Sequence, residues 1–327
     1  QIGDGTRTTE SRRRPTRVKT NALFAGIAVG GRFACGLTEE GDAICWGYNR
    51  DGQLGNGTTA RGLEPSLTLG PEPFQSLAMG REHACALGVE GAAYCWGKNN
   101  NGQVGDGESL SRGSFHTKPV AVSGGHQYQQ LVVMGADATC GLTRSGQAYC
   151  WGLVDLLDWK AKPTTTPVLV SGEMVFEDLA AGAEHLCGLN NGRAYCLGEN
   201  RSGQLGDSTN TRRSTPTAVV TDSSFVSLTA GSQFTCGLTV AGQAWCWGAN
   251  RSGQLGSGEG SYGNAGWNVP KQVFGEVVFR QLAAGDSHTC GLATYDGVYC
   301  WGENNIGQLG TGSQGWRNIP TVVVAGP

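Results

Sequence analysis

No apolar run among the 327 residues approaches the roughly 18 that a membrane-crossing helix needs, so the chain is expected to be soluble, with no direct membrane span. Charge of one sign is equally scarce. A formal net charge of −3 is small for this length, so no general field exists to gather nucleic acid or an anionic membrane, and neither is expected as a partner. The one basic run, Arg12, Arg13, Arg14, Arg17 and Lys19, reads as a solvated terminal segment or as a contact for an acidic partner. Initiator Met, signal peptide and lipidation motif are all missing, and a start at "QIGDGT" is compatible with earlier removal of such a segment. The motifs of common chemistry are missing too. There is no G-x-S-x-G, no phosphate-binding loop, no H-E-x-x-H and no repeated D-x-D-x-D-G calcium pattern. No enzyme activity, cofactor or metal is therefore expected.

Glycine is what the chain has in excess. Its 54 residues are more than twice the usual share of about 7%, yet Trp and Cys are also plentiful and no collagen-like period of three appears. That combination favours a turn-rich β protein over disorder. Self-comparison then shows six copies of one unit, starting near Phe24, Phe74, Gln129, Phe176, Phe225 and Phe279. Each reads approximately F-x-x-L-A-A-G-x-x-H/F-x-C-G-L-T-x-x-G-x-A-Y-C-W-G-x-N-x-x-G-Q-L-G-x-G, then a variable tail and a P-x-x-V-type strand. The period of about 50 residues falls in the range of propeller blades and solenoids.

The cysteines define a hairpin in each unit. If Cys35 opposes Cys45, then Leu37 opposes Ala43 and the loop Glu39-Glu40-Gly41 remains, with Gly at the left-handed end of a three-residue turn. The same spacing recurs between Cys85 and Cys95, Cys140 and Cys150, Cys236 and Cys246, and Cys290 and Cys300. Cys187 and Cys196 are one residue closer, which leaves Asn191-Gly192, the favoured two-residue turn, and preserves the register. In the sixth unit the loop would be Thr294-Tyr295-Asp296, with Gly297 one place late. Opposed residues on neighbouring strands lie within disulfide reach, so six intra-repeat disulfides are expected, each worth about 2.5–3 kcal/mol by loop-closure entropy. Free buried thiols are the alternative. Zinc fits less well, because two sulfurs per hairpin supply half a tetrahedral site and C-x2-C spacing is absent. Paired cysteines point to an oxidising compartment: extracellular, periplasmic or cell surface.

Alternation puts Ile44 and Trp46 on the opposite side from the cysteines, facing Gly36 and Ala34. The Ile44 position is Tyr94, Tyr149, Tyr195, Trp245 or Tyr299 elsewhere. A large ring facing a missing side chain reads as core between stacked sheets.

The units "HACALGVEGAAYCWGKNNNGQVGDG" and "FTCGLTVAGQAWCWGANRSGQLGSG" resemble repeats of the regulator of chromosome condensation family. Their Cys-flanked form is similar to the ectodomain repeats of crinkly-type plant receptor kinases and to secreted bacterial members. The resemblance covers essentially the whole chain and implies an all-β fold: a β-propeller of four-stranded antiparallel blades, often seven. Residues 1–327 would form one propeller domain with repeat cores near 24–57, 74–107, 129–159, 176–208, 225–258 and 279–312. Seven P-x-x-V-like tails accompany six cores, and residues 1–20 are the tail of a unit whose core is missing. Either a seventh core lies upstream, or the N-terminal strand helps to close a six-unit ring. The seven-unit parent is favoured.

Family members act as a nucleotide-exchange factor on chromatin, as enzyme inhibitors and as receptor ectodomains, so function has to be read from the site. His83, His185 and His288 stand two residues before the first Cys of their units, where other copies have Phe33, Ala138 and Phe234. A place that accepts Phe and Ala is structural. His116 and His126 stand alone, with no Cys, Asp or Glu at a catalytic or metal-ligand spacing. Asn56, Asn200 and Asn250 match the glycosylation acceptor pattern, but Asn200 and Asn250 sit in a turn that suits Asn anyway. What varies is the segment after each G-Q-L-G, and it carries Phe115, Tyr262, Trp267 and Trp316. One copy also departs from the turn itself. "CWGLVDLLDWKAKP", from Cys150, replaces the glycine-rich stretch with an apolar one, spaced for a helical turn, in which Leu156, Leu157 and Trp159 face either a neighbouring blade or a partner. Aromatic and Arg residues on such loops are the usual binding anchors. The expected role is a secreted or cell-surface, non-enzymatic module that binds a protein partner, with self-assembly open. A lectin-like, carbohydrate-binding propeller is the alternative. An intracellular guanine-nucleotide-exchange regulator is disfavoured by the cysteines.

Overall fold

The inner strands of each repeat read as unbroken runs of small and apolar residues because both of their faces are covered. In the computed structural model, which describes residues 2–6, 13, 15–108, 111–154, 156, 162–259, 266–295 and 297–324, every residue of Phe33–Leu37 and of Phe234–Thr239 is buried. The fold is a β-propeller of six four-stranded antiparallel blades, with no helix among the described residues. Two compact units divide it, three blades in each.

In the first unit, blade 1 comprises β1 (Gly26–Val29), β2 (Phe33–Leu37), β3 (Ala43–Gly47) and β4 (Gly62–Leu67). Blade 2 comprises β5 (Phe74–Met79), β6 (His83–Gly88), β7 (Ala93–Lys98) and β8 (Phe115–Ala121), and blade 3 β9 (Tyr128–Met134), β10 (Ala138–Thr143), β11 (Ala148–Gly152) and β12 (Thr164–Leu169). In the second unit, blade 4 comprises β13 (Asp178–Ala181), β14 (His185–Asn190), β15 (Arg193–Gly198) and β16 (Arg213–Ala218). Blade 5 comprises β17 (Phe225–Ala230), β18 (Phe234–Thr239), β19 (Ala244–Gly248) and β20 (Trp267–Gln272), and blade 6 β21 (Phe279–Ala284), β22 (His288–Ala293), β23 (Val298–Gly302) and β24 (Arg317–Val322).

The hairpin register follows the turn chemistry. Cys35 opposes Cys45 and Leu37 opposes Ala43. The Thr38 amide bonds the Asp42 carbonyl at 3.0 Å, and Gly41 closes the loop at φ 88°. In blade 4, Asn191 and Gly192 both take positive φ, 48° and 74°, between paired Asn190 and Arg193. The sixth hairpin closes from Ala293 to Gly297, with Asp296 outside the described residues. The expected disulfides form inside their own repeats. Cys35 is bonded to Cys45, Cys85 to Cys95 and Cys140 to Cys150 in the first unit. Cys187 is bonded to Cys196, Cys236 to Cys246 and Cys290 to Cys300 in the second. Their Cα atoms lie 4.0–4.1 Å apart, as directly opposed residues must, and no cysteine is left free, so the free-thiol alternative does not hold.

The space over the β2-type glycines is filled differently from the sequence expectation. A Cβ on Gly36 would stand 2.3 Å from the ring of Phe24, and Gly141, Gly188, Gly237 and Gly291 meet Tyr128, Phe176, Phe225 and Phe279 in the same way. The aromatic at the head of the first strand, brought back by the β1–β2 turn, is what needs the missing side chain. Tyr94, Tyr149, Trp245 and Tyr299 do pack between blades, half-buried against the core of the preceding sheet.

Polar groups between blades are satisfied by one recurring arrangement. The indole nitrogens of Trp96, Trp151, Trp247 and Trp301 donate to the backbone carbonyls of Gln53, Gln103, Gln204 and Gln254, at 2.9–3.0 Å. Thr139, Thr235 and Thr289 hydroxyls donate to the last three of these carbonyls. That use of the hydroxyl proton makes His83 and His185 the donors, through Nε2, to Thr139 and Thr235 at 2.8 and 2.9 Å. Burial lowers both histidine pKa values to about 4, so they are neutral structural groups at neutral pH.

Candidate functional site

The variable segments stand on a constant base. At the head of each N-x-x-G-Q-L-G turn a buried Asn accepts from the amide five residues on: Asn49 from Leu54, Asn99 from Val104, Asn200 from Leu205, Asn250 from Leu255 and Asn304 from Leu309, at 2.9–3.1 Å. Its amide group reaches the variable tail. Asn49 Nδ2 donates to the carbonyls of Thr58 and Ala60, and Asn200 Nδ2 to those of Thr209 and Thr211, at 2.9–3.1 Å. Asn304 Nδ2 donates to the Ser313 carbonyl at 3.0 Å. Asn200 and Asn250 are thus buried turn stakes and present no acceptor for glycosylation in the folded chain.

Ion pairs lock the loops to the outer strands. Asp207 lies 2.7 Å from Arg213. Burial would raise the Asp207 pKa, but hydrogen bonds from Thr209, Arg213 and Asn200 outweigh it and hold the carboxyl below its usual range. The matching places in blade 2 are Asp106 and His116, 2.7 Å apart. Here the structure corrects the sequence reading that His116 has no acidic neighbour. Glu108 joins them, and single ligand atoms of the three lie within 4.8 Å of one another, a grouping that could hold a metal ion. Because blade 4 places an Asp–Arg pair at the same position, the Asp106–His116 contact reads as the same loop-to-strand lock. His126 is spent on packing, its ring 4.2 Å from that of Tyr149.

The anchors named from the sequence separate into three groups. Phe115, at the start of β8, is 42% exposed, and Trp316, just before β24, is 36% exposed. Trp267 opens β20 half-buried, with the Lys271 ammonium 4.3 Å over its ring. Leu156 is fully buried and offers no surface to a partner, contrary to its place among the candidate contacts. A Cβ on Gly198 would stand 2.8 Å from its Cδ2, so it fills the interior beside β15. Leu157, Trp159 and Tyr262 lie outside the described residues, as does most of the helical turn expected there. The sequence reading gave Arg as an anchor type without naming one; the structure shows Arg201, 89% exposed at a turn tip, and Arg212, paired with Glu199 at 3.8 Å. The buried Asn base was also missed, although its fixed spacing to the turn Leu was a visible signal.

These features define a disulfide-stapled repeat propeller whose loops vary over a constant hydrogen-bonded base. Two family models described as "Regulator of chromosome condensation (RCC1) repeat" match, one at residues 24–53, 74–103, 130–153, 225–254 and 279–308, the other at 40–87, 191–238, 241–292 and 295–327. The chain belongs to the RCC1 repeat family. Among curated proteins it is 28% identical over 211 residues to the probable E3 ubiquitin-protein ligase HERC4 of Rattus norvegicus, across 59% of this chain and 19% of that protein. It is 27% identical over 309 residues to the ultraviolet-B receptor UVR8 of Arabidopsis thaliana, across 91% of this chain and 57% of that one. The chain therefore spans less than two thirds of the length of either. Among solved structures, human WBSCR16 superposes with TM-score 0.84 at 20% identity, over 96% of this chain and 84% of that one. Prp20p of Saccharomyces cerevisiae, described with its binding to Gsp1p and histones, gives 0.77 at 21%, over 91% and 76%. The ectodomain of the Physcomitrella patens receptor kinase CR4 gives 0.56 at 25%, over 87% and 63%.

Proposed function

We propose that this chain is the propeller module of an extracellular or cell-surface protein, that it binds another protein through the loops following each G-Q-L-G turn, and that it has no catalytic chemistry of its own. The observation that carries the reading is the contrast within each loop. In blade 4 a buried Asn and an ion pair hold the base, while the sequence beyond the turns changes from blade to blade, and Phe115 and Trp316, with Arg201 in a turn itself, stand exposed to solvent. Six disulfides and the likeness to a receptor ectodomain support the compartment. The protein partner described for Prp20p supports the class of partner.

The test uses a triple variant, Phe115→Ala, Trp316→Ala and Arg201→Ala. Immobilised wild-type protein is expected to retain a defined protein from the extracellular fraction of its source, and the variant to lose it with unchanged Tm. Equal retention by both removes the loop surface from the reading. Twelve reactive thiols in freshly isolated, denatured protein would remove the compartment.

A further inference from the structure

We propose that the loop base of blade 2 binds a divalent transition-metal ion of the zinc class through Asp106, Glu108 and His116. The grounds lie in how this blade differs from the others at matched places. In blade 4 a full set of donors surrounds one carboxylate. Asp207 receives the Thr209 amide and hydroxyl, Asn200 Nδ2 and Arg213 Nε, all at 2.7–3.0 Å. Blade 1 repeats the local pattern without charge, the Thr58 amide and hydroxyl donating to Asn56 Oδ1 at 3.1 and 2.9 Å.

Blade 2 keeps the carboxylate and removes those donors. His116 pairs with Gly97 as Arg213 pairs with Gly198, so an imidazole stands where blade 4 has a guanidinium. Glu108 follows Asp106 by two residues, as Thr209 follows Asp207, so a second carboxylate stands where blades 1 and 4 have a hydroxyl. What remains on Asp106 is the Glu108 amide at 3.1 Å and Asn99 Nδ2 at 3.4 Å from each oxygen. Each exchange replaces a donor by a metal-ligating group.

A sheltered charge is thereby left short of a cation. The Asp106 side chain is 7% exposed, and among the described residues its ion-pair contact is with His116 alone. Buried charges persist when they are paired or when they hold a metal. The contact itself is not a hydrogen bond, because His116 Nε2, 2.7 Å from Asp106 Oδ2, is shielded from solvent and has no hydrogen-bond partner. Two ligand atoms side by side have this arrangement. A tetrahedral zinc ion bonded to both at about 2.0–2.2 Å would need the pair to open by roughly 0.7 Å. Single ligand atoms of all three residues lie within 4.8 Å of one another, so Glu108, exposed at the rim, completes the set. An imidazole beside two carboxylates favours zinc over magnesium or calcium, which prefer oxygen throughout. The ion does in blade 2 what Arg213 does in blade 4, supplying the positive charge that ties the variable loop to the outer strand.

The experiment titrates the full chain, stripped with a chelator and dialysed, with zinc chloride alone in a calorimeter. No cysteine is free to compete for the ion. Wild-type protein should bind one equivalent, and saturating zinc should raise its Tm by several degrees. His116→Arg and Glu108→Thr each rebuild part of the blade 4 arrangement, and each should weaken binding about tenfold or more while keeping the Tm of the zinc-free protein. Absence of binding by the wild type overturns the proposal. So does undiminished binding by both variants, since the ion then sits elsewhere, and so does tighter binding of calcium or magnesium than of zinc.

Discussion

The indole nitrogen of Trp96 donates to the backbone carbonyl of Gln53 at 2.9 Å, and Trp151 makes the same bond to Gln103 at 3.0 Å. The two acceptors differ in their second donor. Gln103 also receives Thr139, whereas the matching residue in blade 2 is Ala84. Trp96→Phe therefore strips a buried carbonyl of its side-chain donor, and Trp151→Phe does not. Both variants lose similar volume, so Trp96→Phe should be the more destabilising by about 1 kcal/mol, the scale of a buried unsatisfied acceptor. Urea unfolding of the pair checks this, and equal losses would sink the distinction.

Leu156 and Leu197 form a matched substitution. The third repeat has no turn Gln and the fourth has Leu197 where four others have the donating Trp, so the missing acceptor and the missing donor coincide. Leu156→Ala should cost roughly 2–5 kcal/mol, as expected for a fully buried Leu. Leu197→Trp should cost about 1–3 kcal/mol by overpacking, despite restoring the common residue. A Leu197→Trp variant of wild-type stability would show the pairing to be irrelevant.

Acid should weaken the fold through His83 and His185. Each has a pKa near 4 when folded and an ordinary value near 6.5 when unfolded, lowered by burial. The unfolded chain binds the extra protons, so the contribution is complete above pH 6.5 and is lost as pH falls toward 4. The slope is on the order of 1 kcal/mol per pH unit for each histidine. Phe already stands at this place in Phe234, before Thr289, so His83→Phe with His185→Phe should flatten the slope between pH 6.5 and 4. An unchanged slope in the double variant would assign the acid sensitivity elsewhere.

The loop base predicts a graded pair. Asn200→Ala leaves the Leu205 amide and two loop carbonyls without partners, which should cost about 2–3 kcal/mol and speed proteolysis between Asp207 and Arg213. Arg213→Ala removes a pair whose Arg is about one-third exposed, so its loss should stay within about 1 kcal/mol after screening. Comparable losses in the two variants would mean that the ion pair, rather than the buried amide, holds the loop.

Much of this architecture was legible because it is local. Gly41 and Asn191-Gly192 each determine a hairpin by backbone conformation, and the pairing of Cys85 with Cys95 or of Cys290 with Cys300 then follows from two-residue alternation. Other features needed the return of a turn, or the stacking of one sheet on the next, before the residues could be seen to meet. The ring of Phe24 over Gly36, the His83–Thr139–Gln103 relay and the meeting of Asp106 with His116 depend on how a turn returns the backbone or how one sheet stacks on the next.

The sequence by itself determined the repeat, the hairpin register and the six disulfides, since alternation and turn stereochemistry leave one pairing for each copy. Only the tertiary structure decided that Leu156 faces inward while Phe115 and Trp316 remain at the surface. Burial is a property of what lies opposite a side chain, and for these residues the opposite surface comes from another repeat.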